Sequence, residues 1–156
     1  MKLIPILAMT ALVVPCYAQA KSKAEVFQGK AVTSQMSDLI KAAKVSGSAG
    51  ATLGDYQSHA IKLSVRTASG GAEVHEHYDD IFFVTQGKAT LVTGGTVINA
   101  RTDKDGETKG SGIRNGTSQT IVKGDVVHIP SGTPHQLILA PGDVYCAIVI
   151  KVREAK

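Results

Sequence analysis

Two stretches of this chain decide how it reads: Gly71-Ala-Glu-Val-His75-Glu-His77-Tyr-Asp-Asp80-Ile-Phe-Phe-Val-Thr-Gln-Gly87 and Gly124-Asp-Val-Val-His-Ile-Pro130-Ser-Gly132-Thr-Pro134-His135. In an extended strand alternate residues share a face, so Glu73, His75 and His77 should point one way and Val74 and Glu76 the other. Asp80 should open an apolar strand after a tight turn at Tyr78-Asp79 and fold its carboxylate back toward the imidazoles. In the second stretch Pro130, Gly132 and Pro134 fix a turn that aims His135 inward. Three imidazoles and a carboxylate form a mixed nitrogen and oxygen donor set. It suits one Mn, Fe, Ni, Cu or Zn ion with a position left for water or substrate, unlike a closed thiolate site. Glu73, on the same face, is a candidate partner of these ligands or a general base. His128 and His59 read as packing or surface residues.

Donors drawn from distant segments need a rigid frame, and the surrounding pattern supplies one. From Ala60 onward the hydropathy has a period of two, with Ile61, Leu63 and Val65 alternating with Lys62, Ser64 and Arg66. Further strands are expected over 72–77, 80–86, 88–93, 96–101, 118–123, 125–129, 135–140 and 143–152, separated by Gly-, Pro- and Ser-containing turns. Many short strands with almost no helix argue for an antiparallel sandwich or barrel. Phe82, Val84, Leu137 and alternate residues of 143–150 should line its interior, leaving a mostly apolar pocket above the ion. One short helix is expected over 34–44, where Met36, Leu39, Ile40 and Ala43 recur at helical spacing behind a Ser34 N-cap. The Gly- and Ser-rich 45–54 reads as a loop. The polar, glycine-rich 99–116 reads as a solvated hairpin or loop, with a flap over the barrel mouth as the alternative.

At 156 residues there is chain for one substantial core. Residues 1–20 read as a secretory signal peptide: Lys2, an apolar run over 3–14, then Ala18-Gln19-Ala20 as the cleavage site. Pro15 before Cys16 argues against lipid attachment, so the expected product is periplasmic or secreted, with no membrane anchor after signal removal. Loss of Lys2 leaves 16 Lys and Arg against 13 acids, a mild excess with no basic run, which argues against nucleic acid as a partner. Cys146 would then stand alone, in an apolar run, as a buried small hydrophobe.

The paired stretches resemble the two motifs of the cupin family. The first family motif is Gly, five residues, His-x-His, three or four residues, Glu, six residues, Gly; the second is Gly, five residues, Pro-x-Gly, two residues, His, three residues, Asn. Gly124, Pro130, Gly132 and His135 match the second at every spacing, and Leu139 stands where the family has Asn. His75, His77 and Gly87 match the first, with Asp80 in the place of Glu and a His77–Asp80 loop one residue shorter. Ser69 takes the place of the initial Gly.

The resemblance implies an all-β fold: an antiparallel double-stranded β-helix, or jelly-roll barrel, over 59–152. Ahead of it lie an N-terminal helix and linker over 21–58, and behind it a tail over 153–156. It implies His75, His77, Asp80 and His135 as metal ligands, a small-molecule substrate or ligand, and pairing of two copies through their sheets. Family activities include dioxygenases, decarboxylases, isomerases and lyases, alongside non-enzymatic sugar or effector binders. The first expectation is therefore an exported metal-dependent enzyme acting on a small oxygenated organic molecule, with Glu73 as its proton carrier. A metal-containing binding module and a metal-free structural cupin are the alternatives.

Overall fold

The computed structural model describes residues 23–154; the expected signal peptide and the last two residues lie outside them. One helix, α1 (Gly29–Ser46), precedes thirteen strands: β1 (Ser48–Asp55), β2 (His59–Arg66), β3 (Ala72–His75), β4 (Tyr78–Gln86), β5 (Lys88–Thr93), β6 (Thr96–Ile98), β7 (Arg101–Thr102), β8 (Glu107–Gly110), β9 (Gly112–Arg114), β10 (Thr117–Val122), β11 (Val126–Ile129), β12 (His135–Ile138) and β13 (Tyr145–Arg153). They form a five-stranded sheet in the order β1-β2-β13-β4-β11 and a six-stranded sheet in the order β10-β5-β12-β3-β8-β7, with β6 and β9 as a separate pair. Every pairing is antiparallel.

Two apolar clusters hold this frame together. The first fills the barrel between the sheets and includes Phe82, Val84, Leu91, Ile121, Ile129, Leu137, Leu139 and Tyr145. Leu139, which stands where the resembling motif has Asn, is therefore a core residue. The second lies outside the barrel, where Met36 and Ala43 of α1 pack on Leu63, Val65 and Cys146. Burial pushes the Cys146 thiol above its ordinary range, consistent with an inert core residue.

The helix starts well before the expected Ser34, at Gly29, and its backbone carries no side-chain N-cap. Its apolar stripe is the one expected, extended back to Val32. Its end is tied to the sheet: the Gly47 carbonyl accepts the N–H groups of Thr67 and Ala68, and the Thr67 hydroxyl donates to Ala43 O at 2.6 Å.

The expected loop over 45–54 is instead the edge strand β1, paired with β2 from Ser48 to Asp55 through one bulge at Thr52/Gly54. Its small residues reflect close packing rather than flexibility. Ala49 and Leu53 pack toward α1, and a side chain at Gly50 would meet the Leu63 carbonyl at 2.9 Å. The insert over 99–116 is also ordered. It folds into the β6–β9 and β7–β8 pairings, and β8 adds to the edge of β3.

Because Leu63 is 1% exposed beneath α1, Leu63→Ala should lower unfolding free energy by about 2–5 kcal/mol. Val45, 91% exposed, should tolerate alanine within about 0.5 kcal/mol. Urea denaturation followed by circular dichroism measures both.

Candidate metal centre

The site is assembled where β3, β4, β12 and β13 meet. Strand β3 ends at His75, and the turn that follows is Glu76-His77, two residues earlier than the expected Tyr78-Asp79; Tyr78 and Asp79 belong to β4. The alternation of faces holds only within a strand, so His77 is released from the face it would share with His75. It is exposed, beside Gly106, and does not line the cavity. His77 is the one expected ligand that the fold does not bring to the cluster.

The other expected residues converge. Glu73, His75 and His135 offer donor atoms within 4.8 Å of one another, a set that could hold a metal ion. Glu73 lies directly across from His135 in the β3–β12 pairing. Asp80 enters from the facing sheet: its Oδ2 lies 3.3 Å from His75 Nε2 and 3.8 Å from His135 Nε2. His75, Asp80 and His135 are all buried.

Both imidazoles are held by the same edge. His75 Nδ1 donates to Glu107 Oε2 at 2.5 Å, and His135 Nδ1 donates to the Thr133 carbonyl at 3.1 Å. A carbonyl oxygen can only accept, so the His135 proton sits on Nδ1 and its Nε2 is free to ligate. Fixing the outer nitrogen in this way is what orients a histidine toward a metal. Asp80 Oδ1 is buried without an aligned hydrogen bond, although Lys151 Nζ stands 3.0 Å away as an ion-pair partner. Asp80 Oδ2 faces both Nε2 atoms, and with Glu73 beside them this mixed oxygen and nitrogen donor set suits a divalent ion.

Titration of the cluster follows from its neighbours. Burial alone would lower the His75 pKa, but the hydrogen bond to Asp80 and the carboxylates around it carry the group above its usual range. His135 goes the other way: burial lowers it, and the bond to Thr133 only partly opposes that. Burial disfavours the Asp80 anion, yet the His75 hydrogen bond and the Lys151 charge outweigh it and hold the carboxyl below its ordinary value.

The two halves of the site are bolted together through backbone. The Gly132 N–H donates to the His75 carbonyl at 2.8 Å, and Asp79 Oδ1 accepts the Ser131 N–H at 2.8 Å. Gly132 takes φ +70, a left-handed conformation that glycine adopts without cost. Gly87, at the other end of β4, is required sterically, because a Cβ there would fall 1.7 Å from the Val144 carbonyl.

Glu107 and Lys151 were not among the expected site residues. Glu107 comes from the polar insert, opposite His75 in the β3–β8 pairing. Lys151 sits opposite Asp80 in the β13–β4 pairing, at the inward position of an alternation running through Tyr145, Ala147 and Val149. That alternation was the available signal for Lys151. The cavity beside the cluster, about 550 Å3, is also more charged than expected, with Lys62, Arg66, Lys151 and Arg153 in its walls.

The geometry suggests a different reading of the first motif. With His75 as the motif's second histidine, four residues separate it from Asp80 and six separate Asp80 from Gly87, both within the family spacing. Glu73 then occupies the place of the first histidine.

No family model and no curated protein matches the sequence. Among solved structures, a Klebsiella pneumoniae protein of uncharacterised role with a double-stranded β-helix domain superposes with TM-score 0.58 at 11% identity, covering 84% of this chain and 91% of that one. The DMSP lyase DddQ of Ruegeria pomeroyi gives TM-score 0.52 at 18% identity over 72% of this chain, which spans 50% of DddQ's length. The cupin domain of Schizosaccharomyces pombe Cnp3 gives 0.51 at 15% identity, covering 67% and 64%.

If Glu107 orients His75 as described, Glu107→Gln should weaken zinc binding about 10- to 100-fold in competition with a chromogenic chelator. Unchanged affinity would refute that role. The architecture and these likenesses identify the fold as the double-stranded β-helix of the cupins.

Proposed function

We propose that this protein is an exported metal-dependent enzyme acting on a small oxygenated organic molecule, with one divalent transition ion held by Glu73, His75, Asp80 and His135. The observation that carries the reading is the convergence of two imidazole Nε2 atoms on Asp80 Oδ2 while both Nδ1 atoms are engaged elsewhere. Glu73 is a ligand in this reading rather than the general base suggested by sequence.

When bound, the ion acts as a Lewis acid toward a substrate carboxylate, carbonyl or hydroxyl oxygen. The chain's own residues do the rest. Glu107 and the Thr133 carbonyl keep the two histidines in one orientation. Phe82 and Tyr78 border the cavity and limit water around the substrate. Lys151 Nζ, beside Asp80 and over the Tyr78 ring at 5.5 Å, can pair with an oxyanion that develops on the substrate or protonate it to the hydroxyl. A positioned proton donor favours lyase, isomerase or decarboxylase chemistry, in which a proton must be moved, over simple ligand storage. Activity in the periplasm or outside the cell is the setting implied by residues 1–20; among the described residues, no helix is long and apolar enough to cross a membrane.

Elemental analysis of the purified mature protein should find one transition ion per chain. The ion should be lost in His75→Ala plus His135→Ala and in Asp80→Ala, and kept in His77→Ala. Metal-free wild-type protein, or loss of the ion in His77→Ala, would sink this ligand set. Lys151→Met should keep the ion and reduce turnover of any substrate about 100-fold or more, the usual worth of a positioned acid. A binding module without turnover would instead show ligand affinity and no product by mass spectrometry.

A further inference from the structure

The cavity wall formed by β2 is cationic, and helix packing makes it so. Leu63 and Val65 are buried beneath α1, which turns the alternate residues Lys62, Ser64 and Arg66 to the inside of the barrel. Both cations are only partly exposed. Of the other basic groups in the cavity walls, Lys151 pairs with Asp80 at 3.0 Å and Arg153 with Asp55 at 2.7 Å, while Lys109 is exposed on the facing sheet. Among the described residues, neither Lys62 nor Arg66 has a carboxylate within ion-pair distance. Two like charges partly withdrawn from bulk water without a partner are unfavourable.

The register fixes where they stand relative to the donor cluster. Ala60, Lys151 and Asp80 form one row across β2, β13 and β4, and Lys62, Val149 and Phe82 form the next. Lys62 is thus one row along the barrel and two strands across from Asp80, about 12 Å between backbones, with Arg66 about 13 Å further along β2. The Arg66 guanidinium lies against Gly70, where a side chain would collide with it, next to Gly71 of the cavity wall. Ser64, between the two cations, adds a hydroxyl.

We propose that the cavity binds a small organic anion whose carboxylate or phosphate group lies over Ser64, held by Lys62 and Arg66, with an oxygen at its other end directed to the donor cluster. The planar guanidinium fork pairs with both kinds of oxyanion, and the ammonium supplies a point charge. The second anchor rests on the metal-centre reading: a divalent ion offsets the charges of Glu73 and Asp80, so the loaded cavity is positive. The anion pocket itself does not depend on it.

Isothermal titration of zinc-loaded and metal-free protein with glutarate, inorganic phosphate and neutral 1,5-pentanediol tests this. Either anion should bind and the diol should not. Glutarate tighter than phosphate assigns a carboxylate, and the reverse assigns a phosphate. Lys62→Met plus Arg66→Met should weaken the anion about tenfold or more, in line with loss of a charged hydrogen bond, without change in zinc content or melting temperature. Lys62→Arg alone should keep the affinity. Equal anion affinity in the double variant, or diol binding as tight as glutarate, overturns the proposal, as does zinc-loaded wild type that binds neither anion. Anion binding that needs Lys62 and Arg66 in a protein that takes up no zinc supports the pocket and removes the metal-centre reading.

Discussion

The hydrogen bond from the Gly132 N–H to the His75 carbonyl is the constraint on which the site depends. Strand β3 has only four residues, and its pairing with β12 consists of a single residue pair, Glu73 with His135. So short a contact would leave the two donor segments free to slide. The Gly132 bond at 2.8 Å, with Asp79 gripping Ser131, fixes the turn that carries His135 against the end of the strand that carries His75. Both bonds are made by backbone atoms of the turn, so main-chain geometry brings the two strands together, and the bonds at each Nδ1 then orient the imidazoles.

A second organising feature is that the inner face of the five-stranded sheet serves both the core and the cavity. Its outer face meets α1; its inner face shares the barrel core with Phe82, Val84 and Tyr145. Tyr145 is buried with no partner for its hydroxyl, and burial drives that phenol far above its ordinary pKa. Toward the donor cluster the inner face changes character, through Ser64, Lys62 and Lys151. On this inner face Tyr145 and Val149 of β13 lie beside Arg66 and Lys62 of β2, so core and cavity share one sheet with no change of strand direction.

Much of this was legible in the sequence, and the misses have physical causes. Strand β2 is legible because period two survives wherever one side of a strand is apolar, and β13, covered on both faces, is legible as a continuous apolar run. The segment from Gly124 to His135 was readable at every spacing because its turn needs particular residues at fixed positions. His77 misled because the same alternation was carried through a turn that resets it. Strand β1 was obscured by composition, since close approach to β2 selects small residues that also favour loops. Lys62 and Arg66 follow the alternation, but which face turns into the barrel is decided only by α1, which covers the apolar side of β2. Glu107 had no local signal at all: its role exists only once the insert pairs with β3.

That insert changes the thermodynamics of the fold. Asp103 caps its tip by accepting the N–H groups of Asp105 and Glu107, so a flexible-looking polar segment is stitched into the strand bearing Glu107. Glu107 in turn holds His75 at the cluster. Opening of this hairpin and occupancy of the cluster are therefore reciprocally linked: whatever binds at His75 resists local unfolding some thirty residues away in sequence, and whatever frays the hairpin tip weakens binding. The segment is a small cooperative unit of its own, and it senses the state of a site that its tip never touches.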